Sequence, residues 1–203
     1  KKLGERASKV VAELATWSEE TIARDFAVAL PAGVSLFIAS SRPIRDFEGF
    51  AHPRKGVQVF ANRGLAGIDG NISTALGIAS RSEKTFAVLG DLAFLHDVSA
   101  LSHAGNPDLR LFVIDNNGGG IFSTLPQAGV DGFEKIFGTP HGRDIQAIAT
   151  SFGVKTSKIS TSAEFAKLVA EPVKGFEIVV VQVPSRQENG DYLKSIYAKM
   201  ESL

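Results

Sequence analysis

The stretch Thr85–Pro126, TFAVLGDLAFLHDVSALSHAGNPDLRLFVIDNNGGGIFSTLP, holds two short apolar runs, Phe86–Leu89 and Leu111–Ile114, each cut off by polar and glycine residues. Runs of this length, apolar at every position and rich in β-branched and aromatic residues, predict buried parallel strands. The chain between Asp91 and Leu109 is long enough for the helix that a right-handed βαβ crossover needs. Such a unit sends Gly90-Asp91 and Asp115-Asn116-Asn117-Gly118 out of the same edge of the sheet. Open α/β sheets bind their ligands there, beyond the carboxyl ends of the strands.

The donor atoms at that edge restrict what can bind. Asp91 offers carboxylate oxygen, Asn116 an amide oxygen, and Gly118, without a side chain, can turn its carbonyl inward. Hard oxygen donors of low total charge suit Mg²⁺ (or Mn²⁺), which completes its shell with water and substrate phosphates. The expected ligand therefore carries a diphosphate. As a bare pattern, the same residues also fit an ordinary strand-end acid followed by an ordinary loop.

The rhythm continues on both sides of this unit. Further strand candidates are Leu36–Ala39, Gln58–Ala61, Thr156–Ile159 and Ile178–Val183, with helical patterns at Gly70–Ser80, His96–His103, Arg143–Phe152, Ala163–Val169 and Tyr192–Leu203. The alternation predicts a doubly wound, mostly parallel six-stranded sheet with helices on both faces. Before the first strand, Ser18 and Thr21 are placed to cap a helix, Glu19–Leu30, that turns Ile22, Phe26 and Leu30 inward. Residues 1–17 carry Ala7, Val10, Val11 and Leu14 on one helical face and read as a linker helix from a preceding domain. Met200 is the only methionine and Lys1 opens directly into a helical pattern, so the sequence is expected to be the C-terminal piece of a longer protein.

Composition narrows the function classes. The 203 residues are 44% hydrophobic, enough for a full core, and 22 basic residues cancel 22 acidic ones, so no broad field points to nucleic acid or an anionic membrane. Without cysteine there is no thiolate nucleophile and no zinc-thiolate site. No apolar run is long enough to span a bilayer and no signal-peptide pattern is present, so a cytoplasmic location is the default expectation. His52, His96, His103 and His141 show no metal spacing and read as structural or surface residues.

A second glycine-rich turn, Asn62-Arg-Gly-Leu-Ala-Gly-Ile-Asp-Gly70, follows a strand and leads into a small-residue helix. Gly64, Gly67 and Gly70 would permit close backbone approach to a ligand, although such a turn is equally a tight connection. Arg45 and Arg63 lie just past strand ends, where a guanidinium can grip a carboxylate in bidentate fashion; each also fits a solvated surface charge.

Gly90-Asp91, followed 25 positions later by Asn116, resembles the diphosphate motif of the thiamine diphosphate (ThDP) enzyme family. Leu92 stands where that motif has its last glycine, and Asp115 where it has its first asparagine. The resemblance implies ThDP as cofactor, with Gly90, Asp91, Leu92, Asn116 and Gly118 at the diphosphate and Asp91, Asn116 and Gly118 on the metal. Four stretches, Asn62–Gly70, Ser40-Ser-Arg-Pro-Ile-Arg45, Gly90-Asp-Leu92 and Asn117-Gly-Gly-Gly-Ile-Phe-Ser123, are similar to one branch of that family, the SEPHCHC synthases of menaquinone biosynthesis. This branch decarboxylates 2-oxoglutarate and joins the four-carbon unit to isochorismate. The resemblance implies Ile68 as the fulcrum that bends ThDP, Ile121 and Phe122 over its thiazolium, and Ser41, Arg45, Arg63, Ile121 and Leu125 at the substrates. It makes 18–203 the cofactor domain of a transferase that works as a homodimer or homotetramer. The glutamate that activates the cofactor belongs to a partner domain, so no catalytic residue is expected in this chain and the isolated chain should be inactive. Two other readings stay open: another ThDP-dependent decarboxylase or carboligase, and a flavin- or nucleotide-binding module of doubly wound fold. Against the last, no Gly-x-Gly-x-x-Gly follows Leu36–Ala39.

Overall fold

The computed structural model describes residues 2–202. Six strands, β1 (Val34–Ile38), β2 (Val57–Phe60), β3 (Thr85–Gly90), β4 (Leu109–Asp115), β5 (Lys155–Ile159) and β6 (Phe176–Gln182), form one all-parallel sheet in the order β2-β1-β3-β4-β6-β5. Central strands β3, β4 and β6 are buried along nearly their whole length, which explains why they read as continuous apolar runs rather than alternating ones.

Eight α-helices complete the described chain: α1 (Lys2–Ala12), α2 (Glu19–Ala29), α3 (Arg42–Phe50), α4 (Asn71–Ala79), α5 (Asp91–His96), α6 (Ile145–Ser151), α7 (Ser162–Ala170) and α8 (Arg186–Glu201). The period-two alternation of each strand assigns the faces. Phe37, Ala87, Leu89, Leu111, Val113, Ile178 and Val180 pack against Ile72 and Ala75 of α4, Phe94 of α5 and Ile145 and Ala149 of α6. Leu36, Ile38, Phe86, Val88, Phe112, Val179 and Val181 meet Ile22 and Phe26 of α2 and Phe165 and Val169 of α7. Phe26 centres this second face, with ring centroids 5.2 Å from Phe112, 5.5 Å from Phe165 and 5.6 Å from Phe47. Val11 and Leu14 close a smaller cluster with Leu193 and Ile196 of α8.

The helix starts follow local chemistry. Ser18 and Thr21 form a reciprocal capping box at α2, and Ser185 and Glu188 form another at α8. Three elements differ from the sequence pattern. Arg42–Phe50 is a helix that the pattern left as a strand-end loop; its Pro43 falls in the first turn, where the missing N–H and fixed φ cost nothing. The expected helix His96–His103 is instead α5, beginning at Asp91, followed by a 3₁₀ turn, Val98–His103. α8 begins at Arg186, before the expected Tyr192, because the Ser185–Glu188 capping box starts it there, and it runs through Gly190, which lies against Ser123.

Candidate functional site

With all strands parallel, every carboxyl end opens on one edge, and the order reverses between β1 and β3. Ligand crevices form at such switch points. Ser41 leaves β1 there with φ 76°, a left-handed conformation unusual for serine, and Asp91 leaves β3 as the first residue of α5.

Asp91 is 2% exposed. Its Oδ1 accepts from the Leu92 N–H at 2.6 Å, and its Oδ2 accepts from the Gly118 N–H at 2.8 Å and faces His141 Nε2 at 3.1 Å. The His141 Nδ1 accepts from the Arg143 N–H at 2.9 Å, which leaves the ring proton on Nε2, pointed at the carboxylate. Asp115 lies 3.9 Å from the same Nε2, and ligand atoms of Asp91, Asp115 and His141 all fall within 4.8 Å of one another. Burial pushes the Asp91 carboxyl above its ordinary pKa, against the pull of Gly118, His141 and Leu92. A buried acid in this state gains from a cation.

The loop after β4 is built to bring its donors close. Gly118 has φ 136°, and a Cβ there would collide with the carbonyl of Gly138. Asn117, at φ 62°, accepts the N–H groups of His141 and Gly142 on its Oδ1 at 3.1 and 2.8 Å, clamping the two loops together. Asn116 donates from Nδ2 to Glu19 Oε1 at 2.7 Å, while its Oδ1 is buried and has no hydrogen-bond partner. Buried amide oxygens are rarely left so, and an unpartnered hard oxygen on a loop that Asp91 grips fits a metal-ligand place. Gly118 meets Asp91 through its N–H, and its carbonyl accepts from the Gly120 N–H at 3.0 Å with a second lone pair to spare.

Behind Asn116 lies a buried charge cluster. Arg42 reaches Glu19 at 3.2 Å, Glu20 at 2.6 Å and Asp46 at 2.8 Å. Burial raises the Glu19 carboxyl and raises that of Asp46 well above the usual range, with Arg42 opposing both shifts. A hollow of about 30 Å³ lined by Glu19, Arg42, Gly90, Ile114 and Asn116 adjoins it. On the other side, a polar cleft of about 580 Å³ runs over β4 and β6, lined by Asp115, Asn116, His141, Arg143, Lys158 and Arg186.

The remaining sequence-chosen residues are more scattered. Leu92 is half-buried at the start of α5, and Gly90 caps that helix. Ile121 and Phe122 occupy the 3₁₀ turn Gly120–Thr124, where Phe122 stacks at 5.4 Å on Phe137, and Leu125 follows, partly exposed. Arg45 lies a turn inside α3, exposed, its Nη1 donating to the Ser41 carbonyl at 2.9 Å. Arg63 lines an apolar groove of about 510 Å³ shared with Val59, Phe47 and Arg54. Ile68 is 39% exposed on the loop before α4.

One sequence expectation is corrected and three residues were not anticipated. His141, expected to be structural or surface, packs on Asp91; 50 positions separate them, so spacing could not reveal it. Asp115 was passed over as a departure from a motif. Asn117 signals its role only through the glycines that follow it, and Glu19 carries no signal in the sequence beyond opening the helix Glu19–Leu30, a helix whose start lies at the sheet's carboxyl edge.

Comparison with known proteins bears on the family and the fold. Residues 45–183 match the family "Thiamine pyrophosphate enzyme, C-terminal TPP binding domain". The chain is similar to 2-succinyl-5-enolpyruvyl-6-hydroxy-3-cyclohexene-1-carboxylate (SEPHCHC) synthase of Thermobifida fusca, 41% identical over 80% of this chain and 31% of that protein. It is likewise similar to the synthase of the same name from Myxococcus xanthus, 44% identical over 90% of this chain and 32% of that protein. The chain thus spans about a third of the length of these curated relatives. Benzoylformate decarboxylase from Polynucleobacter necessarius shares the fold, with a TM-score of 0.55 at 20% identity over 81% of this chain and 33% of that one.

Proposed function

The chain belongs to the family of C-terminal, TPP-binding domains of thiamine pyrophosphate enzymes, and from that premise we propose that it is the diphosphate- and cation-holding part of a SEPHCHC synthase. Asp91, Asn116 and Gly118 hold Mg²⁺ or Mn²⁺ against the cofactor's diphosphate, with Gly90 and Leu92 at the turn into α5. The observation that carries this reading is the buried, unpartnered Asn116 Oδ1 on the loop that Asp91 grips through the Gly118 N–H. Asp115 and His141 border the same place, Asp115 adding a second carboxylate and His141 a hydrogen-bond donor.

When bound, thiamine diphosphate supplies the carbanion-stabilising chemistry that decarboxylation and carbon–carbon ligation require. The chain's own part is to bind and orient. Ile68 is the apolar support for the bent cofactor, and Ile121 and Phe122 cover the reacting end. Ser41, Arg45, Arg63, Ile121 and Leu125 receive the substrates, 2-oxoglutarate and isochorismate, both multiply anionic and suited to guanidinium partners. Arg45 and Arg63 are exposed, and Arg45 donates only to the Ser41 carbonyl among its described partners, so both remain available to an entering carboxylate. The activating glutamate comes from another domain of a homodimer or homotetramer, so this chain alone turns over nothing. No described helix is long and apolar enough to cross a membrane; a cytoplasmic location is part of this proposal.

Calorimetric titration tests the reading. Thiamine diphosphate is expected to bind the 203-residue chain only with Mg²⁺ or Mn²⁺ present. Cation-independent binding, or preferential binding of FMN or NAD, would overturn it.

A further inference from the structure

An asparagine offers a metal either its oxygen or, turned over, a nitrogen that cannot ligate. What fixes the orientation of Asn116 is therefore part of the cation site. Its Nδ2 donates to Glu19 Oε1 at 2.7 Å, and a carboxylate can only accept, so this contact forces the amide oxygen to the opposite side. Gly120 packs so closely that a Cβ would collide with Asn116 Nδ2, which confines the amide further.

Glu19 is held in turn. Its Oε2 receives the Arg42 Nε–H at 3.2 Å, and its backbone N–H donates to Asn189 Oδ1 at 3.2 Å. Asn189 is anchored from α8 by its own donation to the Pro184 carbonyl at 2.7 Å. Arg42 is locked on its far side by Glu20 and Asp46. Both side chains of the central pair are under a tenth exposed, where an ion pair gains little net stability over apolar packing, so its stabilising value does not account for it. Orienting an amide two bonds away does.

We infer that Glu19 is a positioning residue for the cation: backed by Arg42, its carboxylate holds the Asn116 amide so that Oδ1 is the atom presented to the metal. This rests on the cation-site reading above and adds to it a residue outside both strand-end motifs. Outer partners of this kind typically alter metal affinity by about 10- to 100-fold when changed.

The test is Mn²⁺ binding to the full chain in the presence of thiamine diphosphate, followed by loss of the free Mn²⁺ paramagnetic resonance signal. In Glu19→Gln the new side chain can donate as well as accept, the amide loses its forced orientation, and Mn²⁺ affinity is expected to fall about tenfold or more. In the double variant Glu19→Gln/Asn116→Asp the donor and acceptor are exchanged across the contact, one Asp oxygen is freed for the metal, and affinity is expected to recover most of that loss. A purely structural role for Glu19 would let Asn116→Asp raise affinity equally in the Glu19 and Glu19→Gln backgrounds, and that result overturns the inference, whereas a larger gain in the Glu19→Gln background supports it. So does a Glu19→Gln chain with wild-type affinity. Wild-type chain that binds no Mn²⁺ at all overturns the cation reading itself, which separates the two failures. Should the variants not fold, side-chain amide resonances of the wild type decide: Asn116 protons held in slow exchange support the inference, and protons exchanging like those of an exposed asparagine overturn it.

Discussion

Two glycine-rich loops leave the same edge of the sheet and are held in opposite ways. The loop after β4 is gripped from three sides: Asp91 takes the Gly118 N–H, Glu19 takes the Asn116 amide, and Asn117 clamps His141 and Gly142. The loop after β2, Asn62–Gly70, stands out from the body, with Leu65 97% exposed and Ile68 39% exposed. Its holding bonds are confined to the base, where Asn62 donates to Thr74 at 3.2 Å and Asn71 to the Gly67 carbonyl at 3.3 Å. The chain therefore holds the β4 loop, where the cation and diphosphate are proposed to bind, firmly in place by itself, and leaves the β2 loop, proposed for the substrates, exposed.

Removing the support behind the β4 loop should break this contrast most severely. Arg42→Leu leaves Glu19, Glu20 and Asp46 buried without their cation, and should cost about 3–5 kcal/mol in denaturant unfolding, whereas Arg63→Ala on the β2 loop should stay within about 0.5 kcal/mol. Next in size is Gly118→Ala, which forces a side chain into a positive φ and onto the Gly138 carbonyl. It should lose about 1–3 kcal/mol and weaken Mn²⁺ binding, while Gly64→Ala, strained in φ but with open space around it, should lose less.

A smaller effect separates binding from stability. Asp91→Asn keeps the shape but puts an NH2 where one carboxylate oxygen accepts a backbone N–H, so unfolding free energy should fall by about 1–2 kcal/mol while Mn²⁺ affinity drops by at least about tenfold. Lost stability with unchanged Mn²⁺ affinity would mean that Asp91 serves the fold rather than the cation.

The pH dependence carries a sign. Burial lifts the folded pKa of Asp46 well above its unfolded value near 4. Between those two values the folded chain holds the proton more tightly than the unfolded chain, so stability falls as pH rises through the interval and is greatest below it. Melting temperature measured across the mildly acidic range should decline toward neutrality, and Asp46→Asn should flatten that decline. The smallest effect is expected from Leu65→Ser, at the most exposed apolar side chain of the β2 loop, which should leave stability within about 0.5 kcal/mol.

The same contrast explains what the sequence disclosed. Strands β1, β3, β4 and β6 were legible because burial on both faces writes itself as unbroken apolar runs, and Asp91 and Asn116 because they closely follow such runs; the edge strands β2 and β5 are largely exposed and carry a weaker, mixed pattern. His141 and Glu19 were not, because their roles arise from chain segments 50 and 97 residues away from the partners they touch. The helix Arg42–Phe50 was hidden by a proline that favours a first turn yet reads as a breaker. Long-range polar contacts leave no period in a sequence, whereas packed faces do.

The most direct test of the proposed cation site is a crystal of the 203-residue chain grown with thiamine diphosphate and Mn²⁺, read by anomalous scattering. The expected result is one peak at ligand distance, about 2.2 Å, from an Asp91 carboxylate oxygen and from Asn116 Oδ1. Mn²⁺ located instead in the cleft beside Arg143 and Arg186, or an Asn116 amide turned with its nitrogen toward the metal, would contradict the account.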